Sequence, residues 1–207
     1  MKKEQLALYA ITDSRLAISQ TLEEQVEDAL KGGVTILQLR EKEMAVDDFK
    51  EEAIRIKKIC DRYNVPLIIN DNVEIAKEID ADGVHVGQSD LEAGKVREML
   101  GADKIIGVTA KTVEQAIVAQ NAGADYLGSG AVFGTTTKLD AKKMSLELLK
   151  EITASVDIPV VAIGGIDETN IDQLAGTGIA GVAVVSGIFG KDDCEKAAKE
   201  LKAVDLC

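Results

Sequence analysis

Pro66-Leu67-Ile68-Ile69-Asn70 is a short apolar run with no polar face, and an amphipathic stretch from Val46 to Tyr63 precedes it. A strand that is apolar on both faces must be covered on both, as in a parallel sheet with helices laid over it. In the preceding stretch Phe49, Ala53, Ile56 and Ile59 recur at helical spacing and fall on one face. The two segments read as a helix feeding a buried strand. Working outward in both directions, the same unit recurs. Apolar runs at residues 8–12, 36–38, 83–86, 105–108, 126–128, 159–163 and 181–185 share this character.

The segments between these runs carry helix signals. Thr21-Leu22-Glu23-Glu24 has the capping-box pattern, and residues 89–92 and 112–115 repeat it. Gly32-Gly33, Gly101 and Gly123 stand where helices should stop. Eight strands and eight helical stretches, without a proline-rich linker or a break in composition, predict an α/β fold. The regularity favours one single-domain (β/α)₈ TIM barrel over residues 1–207, ahead of an open doubly wound sheet. No GxGxxG follows the first strand, which removes the commonest reason to expect a dinucleotide fold.

Composition bounds the function. With 36 acidic and 24 basic residues the formal net charge is −12, so general attraction to nucleic acid or to an anionic membrane is not expected. An anionic small molecule is not excluded, because a local group of Lys and Arg can hold one. Aromatic residues are 3% and Trp is absent, which predicts a core of Ile, Val, Leu and Ala. No apolar stretch is long enough to span a membrane, and Met1-Lys2-Lys3-Glu4-Gln5 does not lead into a secretory h-region, so a cytoplasmic location is expected. Cys60, Cys194 and Cys207 form no metal spacing with the single histidine and read as inert thiols.

In a barrel the chemistry sits at the C-terminal strand ends, and unusual polar residues gather there. After the second strand comes Gln38-Leu39-Arg40-Glu41-Lys42, where period-two alternation sends Gln38, Arg40 and Lys42 to one side if the strand stays extended. Two close cations call for an anion, and a phosphate or pyrophosphate is the natural occupant. A solvated charge run beyond a shorter strand is the alternative. The third strand ends in Asn70-Asp71-Asn72 and the fourth leads to Gly87-Gln88-Ser89-Asp90. On adjacent strands Asp71 and Asp90 could share a hard cation such as Mg²⁺, which takes carboxylates, water and phosphate oxygens; helix capping is the competing role.

After the sixth strand, Gly128 to Gly134 and then Thr135-Thr136-Thr137-Lys138 combine small residues, hydroxyls and a lysine, the ingredients of a phosphate loop or of a polar surface loop. Gly164-Gly165 and Val185-Ser186-Gly187 close the seventh and eighth strands, where barrel enzymes often hold a phosphate on backbone N–H groups. His85, alone on an apolar strand, reads as a satisfied structural residue. No Ser/His/Asp or Cys/His set is visible. Two anion sites and one metal site at a common mouth suggest a transferase that joins two phosphorylated small molecules and releases pyrophosphate.

The ordered set residues 8–13, 38–42, 70–72, 82–90, Thr135-x-Thr137-Lys138, Gly164-Gly165-Ile166 and 185–188 resembles the thiamine-phosphate synthase family over nearly the whole chain. The resemblance implies a (β/α)₈ barrel that joins 4-amino-5-hydroxymethyl-2-methylpyrimidine diphosphate to 4-methyl-5-(2-hydroxyethyl)thiazole phosphate. The products would be thiamine phosphate and pyrophosphate, formed by dissociative loss of pyrophosphate and capture by the thiazole nitrogen. It implies Mg²⁺ as cofactor on Asp71 and Asp90. Gln38, Arg40, Lys42, Asn70 and Lys138 would hold the pyrimidine diphosphate, with Arg40, Lys42 and Lys138 stabilising the departing charge. Thr109 stands for the family's fifth-loop serine and is counted among the substrate contacts. Thr135, Thr137, Gly165, Val185 and Ser186 would receive the thiazole phosphate. The partners expected are therefore two small-molecule substrates, with assembly into a homo-oligomer left open.

Two departures stand out: Lys111 replaces a histidine in the family's GVSAH segment, and Gly130 to Thr135 lacks prolines. A related thiazole tautomerase would not need Asp71, Asp90, Arg40 and Lys42. A non-catalytic phosphate sensor would need only the seventh and eighth loops. A phosphate-binding barrel of tryptophan or histidine biosynthesis leaves Asp71 and Asp90 unexplained.

Overall fold

The structure is a computed structural model that describes residues 1–87, 93–134 and 143–206. Eight strands are formed: β1 Leu8–Ile11, β2 Ile36–Leu39, β3 Leu67–Asn70, β4 Gly83–Val86, β5 Ile105–Thr109, β6 Tyr126–Gly130, β7 Val160–Ile163 and β8 Gly181–Val184. They pair in parallel in chain order, and β8 returns to β1 to close the barrel. Closure satisfies the strand edges that an open sheet would leave unpaired. β2, β5 and β6 run one or two residues beyond their apolar stretches, because the ladders Leu39↔Ile69, Thr109↔Gly128 and Gly130↔Ile163 continue. Backbone pairing does not stop where the hydrophobic side chains do.

The described α-helices are α1 Leu22–Lys31, α2 Val46–Tyr63, α3 Val73–Glu78, α4 Ala93–Leu100, α5 Val113–Asn121, α6 Leu146–Ala154, α7 Ser186–Phe189 and α8 Cys194–Lys202. Their distribution is uneven. A 3₁₀ turn, Ile171–Leu174, replaces a helix between β7 and β8, while two helices follow β8. The Thr21 box forms as its sequence predicts: the Glu24 N–H donates to Thr21 Oγ1 at 3.2 Å, and Glu24 Oε2 accepts from the Thr21 N–H at 2.8 Å. Thr112 caps α5 through the Gln115 N–H at 3.2 Å, whereas the box at residues 89–92 lies outside the described residues.

Strand alternation divides the interior into two cores. Leu8, Leu37, Leu39, Leu67, Ile69, Val84, Val108 and Leu127 point outward into the layer shared with the helices. Tyr9, Ile11, Ile36, Ile68, Tyr126, Val161 and Ala183 fill the barrel itself. The aliphatic core expected from composition is the outer one. At the barrel axis two of the few aromatic residues meet edge-on, Tyr9 and Tyr126, with ring centroids 5.7 Å apart. Gly107 on β5 makes that possible, since a Cβ there would lie 2.1 Å from Tyr126 Cζ. The remaining inward positions toward the C-terminal ends are polar or small, and they open into a cavity.

Candidate active site

The cavity occupies the C-terminal mouth of the barrel. Gln38, Arg40, Asn70, His85, Thr109 and Lys111 line one side, and Gly130, Gly164, Gly165, Val185 and Ser186 line the other. Period-two alternation places Gln38, Asn70, His85 and Thr109 inward, and register puts Asn70 level with His85 and Thr109 level with Gly128.

Gln38 is buried on β2 and its Nε2 donates to Tyr9 Oη at 2.6 Å. Arg40 follows β2, and its N–H donates to Thr12 Oγ1 at 3.0 Å, which ties this loop to the end of β1. A second tie runs alongside: Ser14 Oγ donates to Glu41 Oε2 at 2.8 Å. Arg15 grips Asp13 through two hydrogen bonds of 2.8 and 2.6 Å and holds its carboxyl below the usual range. The segment that carries Arg40 is thus clamped against the neighbouring loop.

Lys42 does not join Gln38 and Arg40 in this cavity. The strand has ended at Leu39, so strict alternation no longer applies, and the Lys42 ammonium pairs with Asp71 in an adjoining recess. Glu41, Asn70, Asn72, Val73, Glu74, Met44, Phe49 and Met99 also line that recess. Asn70 borders both spaces, and its Nδ2 donates to Asp71 Oδ2 at 2.8 Å. Asp71 sits in the left-handed region at φ 60°, with its N–H donated to the His85 carbonyl at 2.9 Å. Its carboxylate is an oxygen donor of the kind Mg²⁺ takes, and it already faces one cation, the Lys42 ammonium. The donor chemistry therefore fits a hard divalent ion with Asp71 as one ligand. Among the described residues no group of three metal-ligating side chains exists. Asp90, Thr135, Thr137 and Lys138 lie outside the described residues.

Across the cavity, Gly164 and Gly165 adopt φ 103° and 68°. Neither tolerates a side chain: a Cβ on Gly164 would lie 2.4 Å from Ala131 Cβ, and one on Gly165 2.4 Å from the Gly134 carbonyl oxygen. Val185 precedes α7 and Ser186 opens it, so both seventh- and eighth-loop backbones reach the cavity.

Sequence reasoning missed the cavity floor. His85 is satisfied, as expected of a structural histidine, but it lines the cavity. Its Nδ1 is 3.0 Å from Tyr126 Oη and its Nε2 is 3.0 Å from Thr109 Oγ1. Tyr126 Oη is 2.7 Å from Tyr9 Oη, so a chain of polar groups runs Gln38–Tyr9–Tyr126–His85–Thr109. Burial pushes the Tyr9 and Tyr126 phenols well above their ordinary range. The available signal was positional: His85 is in phase with Gly83 on β4, and the strand glycines Gly107 and Gly128 leave room for rings. Lys111, a departure in the sequence, also reaches the cavity. The described thiols stay out of this chemistry, since burial raises Cys60 to about 12 and Cys194 to about 11.

A family model described as thiamine monophosphate synthase matches residues 8–188. The chain is 55% identical over 194 residues to a thiamine-phosphate synthase of Ruminiclostridium cellulolyticum, covering 94% of this chain and 92% of that protein. It is 52% identical to the corresponding protein of Clostridium tetani, with 94% and 93% coverage. Among solved structures, thiamine phosphate pyrophosphorylase from Pyrococcus furiosus superposes with a TM-score of 0.89 at 38% identity, covering 97% of this chain and 95% of that one.

Proposed function

Because the chain belongs to the thiamine monophosphate synthase family, we propose that it joins the pyrimidine diphosphate and the thiazole phosphate inside this one cavity, giving thiamine phosphate and pyrophosphate. The observation that carries the reading is the two-sided cavity. A guanidinium and two carboxamides stand on one wall, and glycine-shaped backbone at the seventh and eighth loops forms the other.

On the first wall Gln38 and Asn70 orient the pyrimidine half, and Arg40 meets its diphosphate. Lys42 reaches the same diphosphate from the adjoining recess. Asp71, with Asp90, would hold Mg²⁺, which when bound neutralises charge on the leaving pyrophosphate. Arg40, Lys42 and Lys138 supply fixed positive charge where negative charge develops as the carbon–oxygen bond breaks. On the second wall Gly165, Val185 and Ser186, with Thr135 and Thr137, hold the thiazole phosphate so that the ring nitrogen faces the electron-poor methylene carbon. Bond formation uses the nitrogen lone pair and needs no protein base. Close juxtaposition lets the nitrogen capture that carbon ahead of water. The test is thiamine phosphate formation from the two purified substrates with Mg²⁺ and again with excess chelator. Product that vanishes on chelation is expected; undiminished product would remove the metal from the reaction.

A further inference from the structure

The buried chain beneath the cavity has a direction. Gln38 presents an amide nitrogen to Tyr9 Oη, and such a nitrogen can only donate. Both phenols keep their hydrogens in this interior, so each has one to give. Among the described residues Gln38 and Tyr126 are the side-chain partners of the Tyr9 hydroxyl, and Tyr9 is 1% exposed. The Tyr9 hydrogen must go to Tyr126; otherwise it would be buried without an acceptor, an arrangement interiors avoid. The Tyr126 hydrogen then goes to His85 Nδ1, 3.0 Å away, which leaves the imidazole hydrogen on Nε2. Nε2–H in turn donates to Thr109 Oγ1 at 3.0 Å.

Resting on the proposed function, we propose that His85 is a positioning residue. The hydrogen-bond polarity set at Gln38 fixes it as the Nε2–H tautomer, so that Thr109 Oγ1 accepts from the ring and is held at the cavity edge. Gln38, Tyr9, His85 and Thr109 all border the cavity, and Tyr126, which joins them, is fully buried beneath it. One directional chain thereby presets two contacts on the pyrimidine side: the Gln38 carboxamide is pinned by Tyr9, and the Thr109 hydroxyl is oriented by the imidazole N–H. The thiazole phosphate wall takes no part in it. Packing keeps the ring upright, for Gly128 leaves His85 Cε1 3.2 Å from where a Cβ would stand.

His85 is the one histidine in the sequence, so ¹⁵N-histidine labelling gives a single imidazole to read. In the wild-type protein at neutral pH, a protonated Nε2 and an unprotonated Nδ1 are expected. A ring protonated on Nδ1, or on both nitrogens, overturns the proposal. Tyr126→Phe removes the donor to Nδ1 together with the acceptor of the Tyr9 hydrogen. It should draw the two nitrogen shifts together and raise KM for the pyrimidine diphosphate about tenfold while KM for the thiazole phosphate holds. An unchanged tautomer with both KM values unmoved also overturns it. Wild-type protein that shows the expected tautomer yet makes no thiamine phosphate would overturn the proposed function and not the tautomer. An Nδ1–H ring in a protein that does make product would overturn the relay alone.

Discussion

Asp71 is the residue on which the proposed pyrimidine side depends most. Asn70 and Lys42 both engage its carboxylate, and it stands apart from the glycine wall. Asp71→Ala is expected to lower thiamine phosphate turnover by ~10²-fold while thiazole phosphate affinity, measured by calorimetry, changes little. Equal loss of both in a folded variant would contradict separate subsites. Glu52 makes a different point. It is 8% exposed on α2, and its Oε2 lacks a hydrogen-bond partner among the described residues. Burial first, then the nearby Glu41 and Glu23 carboxylates, raises it from 4.5 to about 7. A raised carboxyl favours the folded state fully below its unfolded value, and that contribution is lost as pH climbs through the folded one. Glu52→Gln should therefore match wild type in thermal melts near pH 4.5 and gain on it by about 1–2 kcal/mol above pH 7. A constant difference across that range would show that ionisation of Glu52 is not the cause. Neither Glu52 nor the Lys42–Asp71 pair was legible in the sequence. Burial of one glutamate among many on an amphipathic helix, and the pairing of side chains from different loops, depend on packing that only the closed barrel creates.

The strands, by contrast, were legible, because runs such as residues 66–70 are apolar on both faces and only a covered parallel strand explains that. Helix starts were equally readable where the cap is local. Thr21→Ala should cost about 1 kcal/mol in denaturant unfolding, since both halves of the Thr21–Glu24 box would be lost; an unchanged midpoint would deny the box a role. The inner face of β4, β5 and β6 was harder. Gly107, Gly128 and His85 look like weak strand residues when taken singly, and their purpose appears only when closure brings Tyr126 and Tyr9 to the axis. Gly107→Ala should destabilise by about 1–3 kcal/mol, because its methyl would meet the Tyr126 ring. A fully stable variant would mean that the ring has room to move. The missing helix between β7 and β8 also escaped the sequence reading. The acidic, glycine-punctuated stretch there supports no more than the turn Ile171–Leu174.

At the scale of the whole molecule, closure does the chemical work. Residues far apart in sequence, such as Gln38, Asn70, Thr109, Gly165 and Ser186, line one mouth because eight parallel strands all end there. The net charge of −12 makes this more specific, since the proposed anionic substrates would be drawn by the local cations Arg40, Lys42 and Lys111 and not by the protein as a whole. The central claim is that both substrates meet in that mouth and that the thiazole nitrogen, not water, takes the pyrimidine carbon. The measurement that tests it most directly is the ratio of thiamine phosphate to pyrophosphate released by the wild-type protein with both substrates and Mg²⁺. Equal amounts are expected; pyrophosphate without thiamine phosphate, or neither product from folded protein, would contradict it.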